Sequence, residues 1–266
     1  MPLWNTPGRV KAAFFDADGT LLSFKTHQVP DSAQIALSEL RKAGVKCFLA
    51  TGRPPYQVDE IPIDNLEAFI LLNGQMIVTR DDVLHAEALD PADVATVVQQ
   101  VRDGLYECLF MERSRCYVSG HDDKVRAAEE AAGLSFEEGD IEQALHNEIF
   151  QLNIFLAPGQ TDVVTNATSN MRLTRWSPHF VDAFPRHGGK ARAVRRLLDE
   201  YGIAPDEAIC FGDGGNDLEM FGVVGTSIAM GNANDDVREQ ADYVTDDVDE
   251  GGIYNACFRL GLVTEA

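Results

Sequence analysis

The chain has 266 residues, 45% of them hydrophobic and 24% charged, a balance that fits one large or two modest globular domains and excludes a disordered, collagen-like or disulfide-scaffold protein. Lysine and arginine total 22 against 43 aspartates and glutamates, a net charge of −21 with no basic patch, which argues against nucleic acid or an anionic membrane surface as partner. Five scattered cysteines with no C-x-x-C pair, no leader-like start and no run of eighteen apolar residues lead to the expectation of a cytoplasmic chain with reduced thiols and no membrane span.

The predicted elements begin with residues 10–15 (VKAAFF), an apolar run that stops abruptly in acids and glycine. Such runs suit buried parallel strands. A helix follows on the spacing Ala33, Ala36, Leu37 and Leu40, with Gly44 as its stop. Residues 45–50 and 68–72 are again short apolar runs, closed by Thr51-Gly52-Arg53-Pro54 and by Asn73-Gly74. Strands alternating with helices indicate βαβ units.

Between about residues 85 and 185 the alternation breaks. Asp90-Pro91 opens a helix lined by Val94, Val97, Val98 and Val101. Strand-like runs at 106–111 and 116–119 are followed by a helix over 123–132, a strand over 149–156, a helix over 161–170 and strands over 172–176 and 180–184. Consecutive strands with short turns imply an antiparallel sheet, hence an α+β domain inserted into a parallel-sheet one. Beyond it, Val194, Leu197, Leu198 and Tyr201 predict a helix closed by Gly202, and runs at 208–211 and 226–230 end in Gly212-Asp213 and Gly231-Asn232.

The chemistry concentrates where strands end. In FFDADGTLL (14–22), Asp16 and Asp18 leave the sheet at the carboxyl end of a strand, the place where open α/β sheets bind ligands. Alternate residues of an extended chain point the same way, so both carboxylates can face one site. Their mutual repulsion is relieved by a divalent cation that prefers oxygen. An isolated Asp-x-Asp-Gly is also an ordinary turn, and the strand before it with Thr20 after it favours the site. Asp213 and Asp217 flank a glycine-rich turn, GDGGND, that lacks nucleotide-loop spacing and suits a hard cation. Thr51 reads either as a phosphate-holding hydroxyl or as a helix N-cap, and a lone Lys190 is ordinarily a solvated residue.

These motifs, in this order, resemble the haloacid dehalogenase-like hydrolase superfamily. Asp16-Ala17-Asp18-Gly19-Thr20-Leu21-Leu22 resembles its first signature, Thr51-Gly52-Arg53 its threonine motif, Lys190 its catalytic lysine, and Gly212-Asp213-Gly214-Gly215-Asn216-Asp217 its distal acidic motif. Ala191 stands where relatives often have glycine. The insert has the position and element order of the large α+β (type IIB) cap of the Cof-type sugar-phosphate phosphatases. The resemblance implies a Rossmann-like parallel-sheet core over 1–84 and 186–266, an inserted cap over 85–185 that sets specificity, and Mg²⁺ as cofactor. It also implies roles. Asp16 would be the nucleophile and Asp18 the general acid and base. Asp16, the main-chain carbonyl of Asp18 and Asp213 would hold the metal. Asp217 would act through water or by orienting Lys190, and Thr51, Gly52, Arg53, Lys190 and Asn216 would hold the phosphate. Asn73 resembles a substrate-side asparagine, although Asn-Gly is also a common turn.

The implied activity is hydrolysis of a small phosphorylated metabolite, with a phosphomutase or a catalytically silent sugar-phosphate sensor as alternatives; oligomeric state is left open. In the insert, Arg175-Trp176-Ser177-Pro178-His179 combines donors with an aromatic face, so Arg175 and His179 become candidate substrate contacts, against the alternative of a plain hairpin turn. Cys108 and Cys116 could pair across the turn joining two strands, but buried thiols are the better reading. The acidic stretch 246–250 reads as a solvated loop.

Overall fold

The computed structural model describes residues 10–58, 61, 66–175 and 177–264; Trp176 lies outside them. In chain order the first stretch runs β1 (Ala12–Phe15), α1 (Asp31–Lys42), β2 (Lys46–Ala50), β3 (Ala68–Leu71), β4 (Met76–Val78) and β5 (Val83–Ala86). The middle stretch runs α2 (Pro91–Arg102), β6 (Cys108–Met111), β7 (Cys116–Val118), α3 (Asp123–Ala132), β8 (Gln151–Ile154), α4 (Asp162–Thr165), β9 (Met171–Thr174) and β10 (Val181–Pro185). The last runs α5 (Lys190–Tyr201), β11 (Ala208–Gly212), α6 (Leu218–Phe221), β12 (Thr226–Ala229), α7 (Asp235–Arg238), β13 (Tyr243–Val244) and α8 (Gly252–Arg259).

Two compact units emerge, the described parts of Met1–Arg53, Gln57–His85 and Lys190–Ala266 forming one and Pro54–Tyr56 with Ala86–Gly189 the other. Against the sequence reading of 85–185, the insert extends to Gly189. A local reason is visible: Arg172 Nη2 donates to the carbonyl of Gly188 at 3.0 Å.

The first unit is an α/β sheet in the order β13-β12-β11-β1-β2-β3-β4-β5. The pairs from β13 to β3 are parallel and β3–β4 is antiparallel. β1 and β11 are buried along their whole length, which is why they read as unbroken apolar runs. Phe14 stacks on Phe48 at 4.8 Å, and Phe15 on Phe211 at 5.0 Å, across neighbouring strands. One face packs against α5 through Ala193, Val194, Leu197 and Leu198. The helix α1 buries Ala33, Ala36, Leu37 and Leu40, the stripe its spacing predicts.

The second unit is a five-stranded sheet ordered β7-β6-β8-β10-β9 with antiparallel pairing throughout. Asp90 caps α2 through Ala92 N, Asp122 caps α3 through Lys124 N and Val125 N, and both helices follow their predicted extents closely. The apolar face of the sheet closes on Val94, Val97, Val98 and Val164.

Two expectations change, and the reading of the cysteines as thiols holds. The helix over 161–170 forms only at Asp162–Thr165. The Thr165 and Thr168 hydroxyls donate back to the carbonyls of Thr161 and Val164, and Asp93 accepts from the amides of Ser169 and Asn170, so local side-chain bonds compete with the helix. The acidic stretch 246–250 is not merely a solvated loop, because Val248 is buried and its amide donates to Asn232 Oδ1 at 3.0 Å. All five cysteines are free thiols; Cys116 lies opposite Met111, out of register with Cys108.

Candidate active site

Five parallel strands of the first unit deliver the candidate residues from their carboxyl ends. Asp16 follows β1, Thr51 follows β2, Asn73 follows β3, Asp213 follows β11 and Asn232 follows β12. The Asp16 amide donates to Phe211 O and the Thr51 amide to Ile70 O, so each exit is pinned to the adjoining strand. Ligand sites at this end of an open sheet are the rule.

At the centre sits a buried ionic cluster. Lys190, the first residue of α5, is 1% exposed. Its ammonium donates to Asp16 Oδ1 at 2.5 Å and to Asp217 Oδ1 at 2.6 Å. The other oxygen of Asp217 accepts from the amides of Asp213 and Gly214, both at 3.0 Å. Asp217 is thus engaged on both oxygens and fixes the lysine. Asp16, Asp213 and Asp217 each offer an oxygen within 4.8 Å of the others. Three carboxyls therefore lie together, and one ammonium bonds two of them.

The imbalance has a direct consequence. Burial, with the charge of Asp217, pushes the Asp16 carboxyl up to about 7 despite the opposing pull of Lys190. Burial, with the charges of Asp16 and Asp217, pushes Asp213 up to about 9. Burial opposes the charge on Lys190, but Asp16 and Asp217 outweigh it and hold its pKa up. A set of hard oxygen donors carrying surplus negative charge fits a divalent cation such as Mg²⁺, and it contains none of the sulfur or imidazole that softer metals prefer.

Asp18 stands apart from that cluster. Its two oxygens accept from Arg53, Oδ2 from Nε at 2.9 Å and Oδ1 from Nη2 at 2.6 Å, a bidentate fork. The sequence reading gave Arg53 to the phosphate; the structure gives its guanidinium to Asp18. Gly19 makes the turn possible. Its φ is +76°, and a Cβ there would meet Asp213 Oδ2 at 2.2 Å.

A third group forms an amide rim. Thr51 is buried and its hydroxyl accepts from the Arg53 amide at 3.1 Å, the N-cap-like bond that its alternative reading anticipated, before a short 3₁₀ turn over Pro55–Gln57. Asn73 has φ +52° and donates its amide to Thr51 O at 3.0 Å. Its side chain faces Gly52, where an added Cβ would lie 3.1 Å from Nδ2, and its Oδ1 accepts from Asn216 Nδ2 at 3.4 Å. The Asn-Gly turn thus places the Asn73 side chain beside Gly52 and Asn216.

Asn232 escaped the sequence reading. Its amide donates to Gly19 O at 2.8 Å and to Asp213 Oδ2 at 3.4 Å, joining the first and last motifs. Its place in Gly231-Asn232, after a buried strand like the other motifs, was the available signal.

Arg175 and His179 belong to the second unit. The guanidinium of Arg175 donates to the carbonyls of Ser177, Pro178, Phe180 and Leu156 at 2.8–3.3 Å, and the His179 amide donates to Ser177 Oγ. These bonds build the hairpin turn that the alternative reading describes, with Nη1 and Nη2 of Arg175 serving the main chain. A cavity of about 540 Å³ lies in the same unit, walled by Thr161, Thr165, Arg172, Arg175 and Arg186.

A family model described as haloacid dehalogenase-like hydrolase matches residues 13–257. YkrA of Bacillus subtilis (strain 168) is 31% identical over 258 residues, covering 95% of this chain and 98% of its own. The solved structure of BT1666 from Bacteroides thetaiotaomicron, one of the phosphatases of the haloalkanoate superfamily, is 30% identical, covers 97% of this chain and 98% of its own, and superposes with a TM-score of 0.91. The subclass IIB sugar phosphatase BT4131 is 29% identical, covers 96% of this chain and 100% of its own, and has a TM-score of 0.86. By fold, by motif order and by these likenesses, the chain belongs to the haloacid dehalogenase-like hydrolases.

Proposed function

We propose that this protein is a Mg²⁺-dependent phosphatase acting on a small phosphorylated metabolite, a sugar phosphate in particular, through an aspartyl-phosphate on Asp16. The observation that carries the reading is the buried Lys190 held between Asp16 and Asp217 beside Asp213, whose carboxyl is pushed up to about 9 by burial and crowding like charges. A merely structural ion pair would balance its charges; this one has an excess of carboxyls that a divalent cation can offset. The kinship with a protein named as a sugar phosphatase supports the substrate class.

Asp16, Asp213 and the main-chain carbonyl of Asp18 are the residues assigned to hold Mg²⁺, whose charge offsets the carboxylates when a phosphate dianion approaches. The free oxygen of Asp16 attacks phosphorus as the bond to the leaving alkoxide breaks. Asp18 gives that alkoxide a proton, then takes one from the water that cleaves the phosphoenzyme. Each Asp18 oxygen keeps a lone pair beyond its bond to Arg53, so Arg53 can orient Asp18 while it exchanges the proton. Thr51 Oγ can direct its proton to a phosphoryl oxygen, with Asn73 and Asn216 at the same edge. Asp217 holds Lys190 in place rather than binding the metal directly. Most discrimination among substrates is assigned to the inserted unit, because the core motifs themselves recognise only phosphate and metal.

A panel of phosphorylated metabolites assayed for phosphate release with Mg²⁺, and again with chelator, tests the reading. Release that chelation stops and Mg²⁺ restores supports it. An isomerised sugar phosphate without free phosphate would support a mutase instead, and no product from any ester would support a binding protein.

A further inference from the structure

One exposed aromatic side chain stands at the edge of the carboxylate cluster. Phe24 is 55% exposed, and isolated exposed apolar residues ordinarily mean nothing. Its position is what sets it apart. The point that a Cβ on Gly19 would occupy lies 2.5 Å from Phe24 Cε2 and 2.2 Å from Asp213 Oδ2, so the ring edge and the carboxylate converge on the gap that glycine leaves.

The loop carrying the ring is built rather than slack. Ser23 is buried, and its hydroxyl accepts from the amides of Lys25 at 3.0 Å and Thr26 at 3.1 Å. Ser23 N donates to Gln28 O at 3.0 Å, closing the loop at its base. His27 has φ +55°, a strained value for a residue other than glycine, of the kind that gathers at functional sites. Lys25 Nζ pairs with Asp249 Oδ2 at 2.8 Å, and the neighbouring Val248 amide reaches Asn232, which itself bonds Gly19 O. Everything around the phenyl ring is fixed, while the ring itself is presented outward beside the reacting carboxylates.

We propose that Phe24 is the core's own specificity residue, a wall against which the alcohol portion of the substrate packs a C–H or aromatic face. This rests on the phosphatase reading above and deepens it. The class it selects is phosphate monoesters of ring-forming sugars and aryl alcohols, over compact acyl phosphates whose leaving group is too small to reach the ring. An aromatic ring gives such a face contact area and its quadrupole, worth about a factor of ten in transition-state binding.

The test compares the parent with Phe24→Ala and Phe24→Tyr on glucose 6-phosphate, p-nitrophenyl phosphate and acetyl phosphate, with Mg²⁺ and with melting curves to verify folding. Phe24→Ala is expected to lower kcat/KM about tenfold on the first two, chiefly through KM, and less than threefold on acetyl phosphate, while Phe24→Tyr recovers most of the loss. Equal losses on all three, or no loss on any, would overturn the proposal. A parent that cleaves p-nitrophenyl and acetyl phosphates but not glucose 6-phosphate would refute the sugar assignment alone, the ratio between the other two still reading the wall. A parent that cleaves none of them would overturn the phosphatase reading and the wall together.

Discussion

In the first unit, Asp16, Asp213 and Asp217 crowd around the single ammonium of Lys190. In the second, the buried Asp182 accepts from Asn153, and Arg175 is shared among four main-chain carbonyls. Both arrangements bury polar or charged groups, which costs free energy unless they are paired. In the second, the charged groups are met by a neutral amide and by main-chain carbonyls, with no cluster of like charges. The first leaves negative charge unmatched, and raised carboxyl pKa values are the symptom. Surplus charge marks chemistry, whereas satisfied charge marks architecture, and each side of that contrast can be broken by substitution.

The largest effect belongs to Asp16. Asp16→Asn keeps the shape and removes the nucleophile, so phosphate release should fall by about 10⁴-fold or more, as for nucleophiles of other hydrolases. Asp18→Asn should still accept phosphate from an activated ester and release it slowly, leaving a phosphoenzyme that intact-mass measurement detects. Near-normal turnover in Asp16→Asn would mean direct attack by water.

Next comes Lys190. Lys190→Ala removes the only ammonium between Asp16 and Asp217, and turnover should drop about 10²- to 10³-fold. Breaking a buried pair also destabilises by about 3–5 kcal/mol, visible as a lower denaturation midpoint. A variant with an unchanged midpoint would show that the carboxylates had found protons at no cost, and the contrast drawn here would weaken.

How pH acts on the metal-free protein follows from the same surplus. Asp16 and Asp213 have folded pKa values raised from 3.8 to about 7 and about 9. Between about pH 4 and pH 9 the folded state therefore holds protons that the unfolded chain has released. Stability must fall as pH rises through that window. Mg²⁺ needs the deprotonated oxygens, so its stabilising shift in Tm should be larger at pH 8.5 than at pH 5.5. A shift independent of pH would place the metal away from these two carboxylates.

How much of this was legible beforehand depends on where each interaction lives along the chain. β1, β2 and β11 read as strands because strands buried on both faces are continuous apolar runs, and each motif sits at the end of one. β5 did not, since Val83, Leu84 and Ala86 are exposed and leave no alternation to detect. The pairing of Arg53 with Asp18 joins residues 35 positions apart, and only the adjacency of β1 and β2 brings them together. Asn232 was hidden for a similar reason, its contacts lying on Gly19 and Asp213. Local periodicity and spacing expose strands and motif residues; pairings made by sheet order do not appear until the sheet exists.

The smallest effect tests the architectural side of the contrast. Because Arg175 is held by carbonyls of its own turn and by Leu156 O next to β8, its removal should cost stability and leave chemistry alone. Those bonds are charge-assisted but face partly solvated carbonyls that water can serve instead, so the loss should be about 1–3 kcal/mol. Arg175→Lys keeps the charge yet cannot fork to several carbonyls at once. It should therefore recover only part of the lost stability, whereas a purely electrostatic contribution would be restored in full. If Arg175 is structural, the relative rates on different sugar phosphates stay as they are in the parent, measured below the melting transition of both variants. A changed ranking in Arg175→Ala, with its midpoint intact, would return this arginine to the substrate and show that a side chain with all its bonds to the main chain can still read a ligand.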